Sequence, residues 1–436
     1  MRQAGACDWG AWDKKYVWHP FTQMQDWMEK EPLILVEGKK ATLRDVQGRE
    51  YIDGNSSIWT NIHGHGHPRI NAAVKQQLDA VAHVSFLGST NIPAIALAER
   101  LVNLFPPSTL TRVFYSDNGS TAIESALKMA MQFGQLTGNP RRKFATFDGA
   151  YHGDTAGASS LGGTSMFPDR FTSIHFQPIR VRGVEDLQNL SSEVIADLSA
   201  VVVEPLVQGT GGMRLWPPGM LRELRSWCDR TGVLLIFDEV LTGFGRTGRM
   251  FACEHEGVLP DFMALAKGLS GGFLPLGATL TTEKIFRAFL GDFAERKTFY
   301  YGHSYCGNAL GCAAALASLD VFRDEKVLAS LPPKIEGLKS ILDTLSQHPN
   351  VGATRQCGMI AGIDLVGEQS QPLDWRKQIG AKVCMEARRH GLLTRPILDT
   401  IVLMPPLCIE QEEIIRIGCM LSKALEECRK EGLFLG

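Results

Sequence analysis

The chain has 436 residues, of which 44% are hydrophobic and 21% are charged, and its 45 basic and 47 acidic side chains leave a formal net charge of -2. This composition is typical of a globular protein and excludes global disorder and collagen-like or coiled-coil architectures. The near-neutral balance also argues against nucleic acid or a membrane surface as the main partner. We therefore expect a small-molecule enzyme of roughly two or three domains.

The sequence shows no feature of export or membrane insertion. Met1 to Asp13 lacks a basic segment followed by an apolar core, and the longest uncharged stretch, Thr298 to Leu319, contains His303 and several glycines. We interpret that stretch as a buried loop leading into a helix. The ten cysteines are spread singly without a CxxC pair, which is typical of thiols in a reducing compartment. A cytoplasmic protein without a structural zinc site is expected.

The N-terminal segment, residues 1–85, contains two strand candidates, Leu33–Val36 and Ala41–Arg44. A turn rich in glycine and histidine follows them. We predict that this segment packs with the C-terminal part of the chain and belongs to a small domain.

Between Thr111 and Thr282 the sequence alternates short β-branched runs with amphipathic stretches. This rhythm is typical of βα units on a mostly parallel sheet, and it predicts a large α/β domain over residues 86–325. The strand candidates are Arg112–Ser116, Lys143–Phe147, Ala200–Val203, Val233–Phe237, Phe262–Ala266 and Ala278–Thr281.

Two helices of this region have recognisable ends. Ser120 or Thr121 is expected to cap the helical stretch 123–133, because short hydroxyl side chains satisfy the first backbone amides of a helix. The Pro-Pro pair at 217–218 is expected to open a helix that Gly232 closes.

After about Asp320 the pattern changes to long helical stretches, Lys334–Leu345, Trp375–His390 and Glu410–Cys428. The strand-like run Met359–Leu365 lies between them. We predict a second, smaller α+β domain over residues 326–436.

Polar residues stand at the ends of three apolar runs of the predicted sheet: Glu204, Asp238 and Lys267. The carboxyl ends of parallel strands line the ligand crevice of such a sheet, so we expect the three side chains to converge. A lysine at a buried strand end can lose its proton through desolvation and form a Schiff base.

Pyridoxal phosphate chemistry requires such a lysine, an anion for the pyridine nitrogen, an aromatic ring face and a phosphate cradle. Asp238 is the candidate anion and Tyr151 the candidate aromatic. The turn Asp117–Thr121, which contains Gly119 and Ser120, opens a helix whose amides can bind phosphate.

The run LLIFDEVLTGFGRTG at 234–248, followed by Pro260-Asp261 and Ala266-Lys-Gly268, resembles the signature of the class III (ω-type) pyridoxal phosphate aminotransferases. Further motifs are similar to the biotin-pathway branch of that class, which transfers an amino group to 8-amino-7-oxononanoate to give 7,8-diaminononanoate. The similarity runs from about Val17 to about Pro406 and includes the segments Trp18–Met24, Asp53–Trp59, Tyr151–Asp154, Phe251–His255 and Leu393–Pro396.

The resemblance implies an α/β protein of pyridoxal phosphate fold type I, in a homodimer whose active sites lie at the subunit interface. It implies that Lys267 binds the cofactor and moves the proton at the substrate carbon, and that Asp238 pairs with the pyridinium nitrogen. Tyr151 would stack on the ring. Asp154 and Glu204 match family positions that organise the pocket through hydrogen bonds.

The resemblance also assigns ligand-binding residues. Gly119 and Ser120 would hold the phosphate together with Ser304 of the partner subunit. Arg395 matches the arginine that binds the distal carboxylate of the substrate, for which a planar guanidinium is suited. The other substrate-binding residues that we predict are Trp59, Phe21, Tyr151 and Gly302.

The motifs determine the amino acceptor better than the donor. Members that use S-adenosylmethionine commonly carry Trp-Trp and His-Pro-Tyr where this chain has Ile58-Trp59 and Pro20-Phe21. Together with the segment 302–305, these departures resemble a branch in which some members use lysine. S-adenosylmethionine is placed first because it is the commoner donor in the family.

Two other functions stay open at this stage. Another ω-aminotransferase would share the cofactor residues and differ in its substrate pocket. A noncatalytic protein on this fold is disfavoured, because binding alone would not require Lys267, Asp238 and Arg395 together.

Three further motifs have weaker alternative interpretations. The alternating His63, His65 and His67 are interpreted as part of a glycine-rich turn, since no acidic or cysteine ligand follows closely, and no metal is predicted. The run 208–213 lacks the GxGxxG spacing of a dinucleotide fingerprint and is interpreted as a tight loop. His152 either orients the stacking tyrosine or the cofactor, or is a hydrogen-bonded structural residue.

Overall fold

The computed structural model describes residues 8–163 and 170–435, and its centre is a seven-stranded sheet. All six predicted strand runs are confirmed. Neighbouring strands are parallel except for Gly277–Thr281, which runs antiparallel to both of its neighbours. Every residue of Leu198–Val203 is buried, as expected where helices cover both faces of a sheet. The order across the sheet is Arg112–Ser116, Gly277–Thr281, Phe262–Leu265, Leu234–Asp238, Leu198–Val203, Lys143–Phe147 and Ile179–Val181.

The helix after the first strand of this sheet spans Gly119–Leu136. The prediction that Ser120 or Thr121 caps it is wrong, because Asn118 does so. The Asn118 side chain accepts from the Thr121 amide at 3.0 Å, and the Thr121 hydroxyl accepts from the Asn118 amide at 3.0 Å. This reciprocal capping box places both hydroxyl residues inside the first turn.

The helix Met220–Thr231 ends at Gly232, whose φ of 65° confirms the predicted C-terminal stop. Its start differs from the prediction. The Pro-Pro pair at 217–218 lies before the N-cap Gly219, whose φ of 91° turns the chain into the helix. The prolines therefore precede the helix instead of forming its first turn.

The N-terminal strands form a sheet with a C-terminal strand, which confirms that the two ends of the chain pack together. The strand Glu50–Asp53 pairs in parallel with Leu392–Leu393. The domain boundaries at residues 85 and 325 stay a prediction. This sheet has the order Leu35–Lys39, Thr42–Asp45, Glu50–Asp53 and Leu392–Leu393, and a second four-stranded sheet has the order Val351–Cys357, Ile360–Leu365, Thr400–Leu403 and Arg395–Ile397.

Two predicted segments differ in the structure. The stretch Trp375–His390 is not one helix, because Gln378 has a φ of 52° and separates a 3-10 turn from the helix Ile379–Arg389. The loop before Ala309 is buried only at its end, where Cys306 is buried, whereas Tyr300 is 72% exposed and Tyr305 is 62% exposed. Too little of the same chain packs over the rest of this loop to bury it.

None of the helices in the described part of the chain has the length and apolar character needed to cross a bilayer. A short two-stranded sheet of Val207–Gln208 and Arg214–Leu215 completes the strands. The α-helices are Trp9–Tyr16, Met24–Glu29, Ser56–Trp59, Pro68–Ala80, Ile92–Val102, Gly119–Leu136, Ala156–Leu161, Val184–Gln188, Ser192–Ala196, Met220–Thr231, Glu283–Ala288, Ala309–Asp324, Leu331–Leu345, Ile379–Arg389 and Gln411–Lys430.

Candidate active site

A cavity of about 410 Å³ opens at the carboxyl ends of three adjacent parallel strands. Glu204, Asp238 and Lys267 all line it. Their convergence, predicted from three separate runs of sequence, is therefore confirmed. It follows from strand polarity, because parallel neighbours end at the same edge of the sheet.

Lys267 enters the cavity from a strained backbone position with a φ of 41°. Burial lowers the pKa of its amine, and the carboxylates of Asp238 and Glu204 oppose that decrease. The Nζ atom lies 4.9 Å from the centroid of the Trp59 ring. A lowered pKa increases the neutral fraction of the amine, which is the nucleophilic form.

Asp238 is held in one orientation by two hydrogen bonds. Its Oδ2 lies 2.8 Å from Nδ1 of His152, and its Oδ1 accepts from the Val240 amide at 3.1 Å. Both side chains of the Asp238–His152 pair are buried. The histidine thus orients the acid, and its Nε2 has no hydrogen-bond partner among the described residues. A carboxylate fixed in this way suits a cationic ring nitrogen.

Glu204 links two segments that border the cavity. Its Oε1 accepts from the Tyr151 amide at 3.2 Å, and its Oε2 accepts from the Gly209 amide at 2.8 Å. Burial raises the pKa of Glu204 to about 7. The Tyr151 hydroxyl donates to Asp154 at 2.7 Å, and burial raises the pKa of Tyr151. The two acids organise the pocket through hydrogen bonds, as predicted.

The turn at the start of the helix Gly119–Leu136 presents a cradle to the cavity, which Gly119 and Ser120 line. The first amides of a helix have no partner within it and attract anions. Gly119 is required at its position, because an added Cβ would lie 2.8 Å from Cγ1 of Val240. The Ser120 hydroxyl accepts from the Asp154 amide at 3.1 Å. The cradle therefore fits a phosphate group.

The structure brings together most of the predicted site residues, and Trp59 also lines the cavity. Four others do not line it within this chain. Phe21 is 61% exposed. Arg395 is exposed at the start of an outer strand, and Gly302 and Ser304 lie on the exposed loop. The binding roles of these four residues stay predictions.

Sequence reasoning missed two parts of the cavity wall. Thr210 lines it from the loop 208–213, which was interpreted only as a tight turn. The segment Gly272–Leu276 lines it after Lys267. The signal for this second part is the pair Gly271-Gly272, whose φ values of 67° and 83° turn the chain back toward the cavity.

The three alternating histidines bond to different partners. Nε2 of His63 lies 2.9 Å from the Ser318 hydroxyl, and burial lowers the pKa of this histidine to about 3. Nε2 of His65 lies 2.8 Å from Asp53, and Nε2 of His67 lies 3.1 Å from Glu325, which follows the helix Ala309–Asp324. Separate partners agree with a turn that joins elements of the fold.

The chain belongs to the class III aminotransferases, because residues 24–425 match the family model described as Aminotransferase class-III. Its cofactor is pyridoxal phosphate, for which the cavity provides an amine, an anion, a ring face and an anion cradle.

Within the family, the chain is similar to proteins named adenosylmethionine-8-amino-7-oxononanoate aminotransferase. It is 46% identical to the protein of this name from Geobacter sulfurreducens, over 92% of this chain and 94% of the relative. It is 48% identical to that from Nitratidesulfovibrio vulgaris, over 92% of this chain and 78% of the relative. The crystal structure of the protein of this name from Methanocaldococcus jannaschii superposes with a TM-score of 0.94 at 39% identity, over 96% of this chain and 98% of that one. The crystal structure of an amine transaminase from an uncultivated Pseudomonas species superposes with a TM-score of 0.89 at 32% identity, over 95% of this chain and 99% of that one.

Proposed function

We propose that this enzyme transfers an amino group to 8-amino-7-oxononanoate to give 7,8-diaminononanoate in biotin synthesis, with S-adenosylmethionine as the donor. The observation that carries this proposal is the name shared by relatives that are 43–48% identical over 92–96% of the chain. The segments Trp18–Met24 and Asp53–Trp59 support the same acceptor.

The residues around the cavity suit a transamination mechanism. Pyridoxal phosphate supplies an aldehyde and an electron-withdrawing ring when it is bound. Lys267 would hold the cofactor through its aldehyde group, and after the substrate amine has taken its place there it would move the proton at the reacting substrate carbon as a neutral amine. Its lowered pKa favours the form that accepts this proton. Asp238, oriented by His152, keeps the ring nitrogen protonated.

The remaining cofactor contacts are proposed from the same arrangement. Tyr151 covers one face of the ring, and its backbone is held by Glu204. Gly119 and Ser120 bind the phosphate, together with Ser304 of the partner subunit. A loop that is exposed in one subunit is available to complete the other subunit's site.

The substrate pocket is proposed to combine residues of both subunits. Trp59 forms an apolar wall beside Lys267. Arg395 pairs with the distal carboxylate through two parallel hydrogen bonds. Phe21 and Gly302 complete the pocket once the second subunit is present. This division explains why only Trp59 of the four lines the cavity of the single chain.

A homodimer is supported by an exposed apolar surface formed by residues 81–92 and 300–305. Leu87 is 92% exposed, Ile92 81% and Tyr300 72%. Contiguous apolar surfaces of this kind mark protein interfaces. The two segments contact each other, since Nε2 of His83 lies 2.8 Å from the Ser304 carbonyl. Sedimentation analysis is expected to give twice the chain mass, and a monomer at micromolar concentration would contradict the proposal.

A cytoplasmic location is proposed as well. The nine cysteines in the described ranges are all free thiols, as expected in a reducing compartment. Recovery of the activity in the cytosolic fraction is the expected result, and recovery with the exported proteins would refute the location.

The test of function is product formation. Purified enzyme loaded with pyridoxal phosphate is incubated with 8-amino-7-oxononanoate and either S-adenosylmethionine or lysine, and 7,8-diaminononanoate is detected by mass spectrometry. Product with S-adenosylmethionine is expected, and the Lys267→Ala variant serves as the inactive control. Product with lysine alone would reassign the donor. Product with neither donor would move the function to another ω-aminotransferase.

A further inference from the structure

The loop 208–213 joins the cavity wall to the four-stranded sheet of the C-terminal part that contains the strand Val351–Cys357. On the cavity side, the Gly209 amide donates to Glu204 at 2.8 Å, and Thr210 lines the cavity. On the other side, the Gly212 carbonyl accepts from Nε of Arg355 at 2.7 Å and also from its Nη2. Both ends of the loop are therefore held by polar side chains from different elements, Glu204 on one side and Arg355 on the other.

Arg355 is itself held by a carboxylate. Its Nη1 and Nη2 each donate to Asp364 at 2.7 Å, and the Thr400 hydroxyl donates to the same carboxylate at 2.6 Å. Burial alone would raise the pKa of Asp364, but the hydrogen bonds from Arg355 and Thr400 lower it. Such a bidentate, partly buried pair fixes the plane of the guanidinium.

The backbone of the loop is shaped to receive this guanidinium. Gly212 has a φ of 84°, and an added Cβ would lie 3.4 Å from both Nη2 of Arg355 and the Thr400 hydroxyl. The positive φ would strain any side chain at this position, although a methyl group would make only ordinary contacts there. The amides of Gly212 and Met213 both donate to the Gly209 carbonyl, so the loop forms one compact turn.

We propose that Arg355 is a positioning residue for the reaction. Arg355 fixes the turn 208–213, and the Gly209 amide of this turn fixes one carboxyl oxygen of Glu204. The other oxygen of Glu204 holds the backbone amide of Tyr151. Because Arg355 anchors the turn to the strand Val351–Cys357, it sets the distance between Lys267 and Tyr151, the residue proposed to cover the cofactor ring. The inference rests on the proposed role of Tyr151 as the residue that covers the cofactor ring.

A purely structural role predicts a different outcome. In that case the loss of Arg355 lowers stability without a specific effect on cofactor binding. The matched control is Arg225, whose Nη1 lies 2.9 Å from Asp261 and whose side chain is 20% exposed, as that of Arg355 is. The pair joins the helix Met220–Thr231 to the start of the strand Phe262–Leu265, and in the described part of the chain it forms no hydrogen bond with the loop 208–213.

The experiment compares Arg355→Leu, Arg355→Lys and Arg225→Leu with the wild type. The readouts are the dissociation constant of pyridoxal phosphate, the visible circular dichroism of the bound cofactor and the melting temperature. Arg355→Leu is expected to weaken cofactor binding by about tenfold and to reduce the visible signal, because a charged hydrogen-bond set is lost. Arg355→Lys should recover part of the affinity, and Arg225→Leu should lower only the melting temperature.

Wild-type cofactor affinity and visible signal in Arg355→Leu would overturn the proposal. Should that variant be insoluble, Thr400→Val removes only the hydroxyl that supports Asp364, and unchanged cofactor binding there would overturn the proposal equally. None of these readouts requires turnover, so failure to aminate 8-amino-7-oxononanoate would refute the proposed function alone. Unchanged cofactor binding in Tyr151→Leu would instead refute the ring-face role.

Discussion

Glu204 gives a prediction whose magnitude follows from its burial. Its pKa is raised from an ordinary 4.5 to about 7, with burial as the main cause. The folded protein therefore holds a proton on Glu204 between these pH values, whereas the unfolded chain has released it. The folded state loses stability as pH rises through this range. Each pKa unit corresponds to about 1.4 kcal/mol, so the full loss is about 3 kcal/mol.

The perturbation is Glu204→Gln, which keeps the size of the side chain and removes its titration. One of the two backbone amides that Glu204 binds would lose its acceptor, which adds an offset independent of pH. Burial also raises the pKa of Glu239 to about 7, but this acid is present in both proteins and cancels in the difference.

The assay is urea unfolding of the cofactor-free proteins between pH 5.5 and 8.5, because a bound cofactor would add its own charge. Across this window the wild type is expected to lose about 2 kcal/mol relative to Glu204→Gln. A difference between the two proteins that stays constant with pH would refute the reasoning. It would show that Glu204 is already ionised in the folded protein at pH 5.5.

Three further predictions concern the site. Lys267→Ala is expected to lower turnover, measured by product formation, by about a thousandfold. The cofactor should still bind but without a covalent link, so borohydride should not fix it to the protein. Normal turnover would contradict the mechanism. Arg395→Ala is expected to raise the KM for the oxo acid by about tenfold or more with the cofactor band unchanged, and an unaltered KM would exclude its carboxylate role. Gly153→Ala is expected to weaken cofactor binding, because the φ of 117° disfavours a side chain and the new methyl would meet Ser120 at the phosphate cradle. Gly138→Ala, with a φ of 72° and open space around it, controls for backbone strain alone and should leave cofactor binding unchanged.

Six of the seven strands of the central sheet were predictable, because each of the six is a short apolar run whose signal is local. The convergence of Glu204, Asp238 and Lys267 was predictable for the same reason, since parallel strands deliver the residues at their carboxyl ends to one edge. The choice of Asn118 as the helix cap could not be predicted from the sequence. Asn118, Ser120 and Thr121 all have short polar side chains that could cap that helix, and the path of the backbone selects among them.

The sequence by itself determined the family, the cofactor and the order of the βα units, because these depend on residue types at close spacing. Only the tertiary structure decided how the site is held. The contact between Arg355 and Gly212 joins residues 143 positions apart, and His152 reaches Asp238 across 86. The raised pKa of Glu204 and the lowered pKa of Lys267 arise from burial. Burial depends on every element packed around a group, so these pKa shifts cannot be predicted from a local pattern of residues.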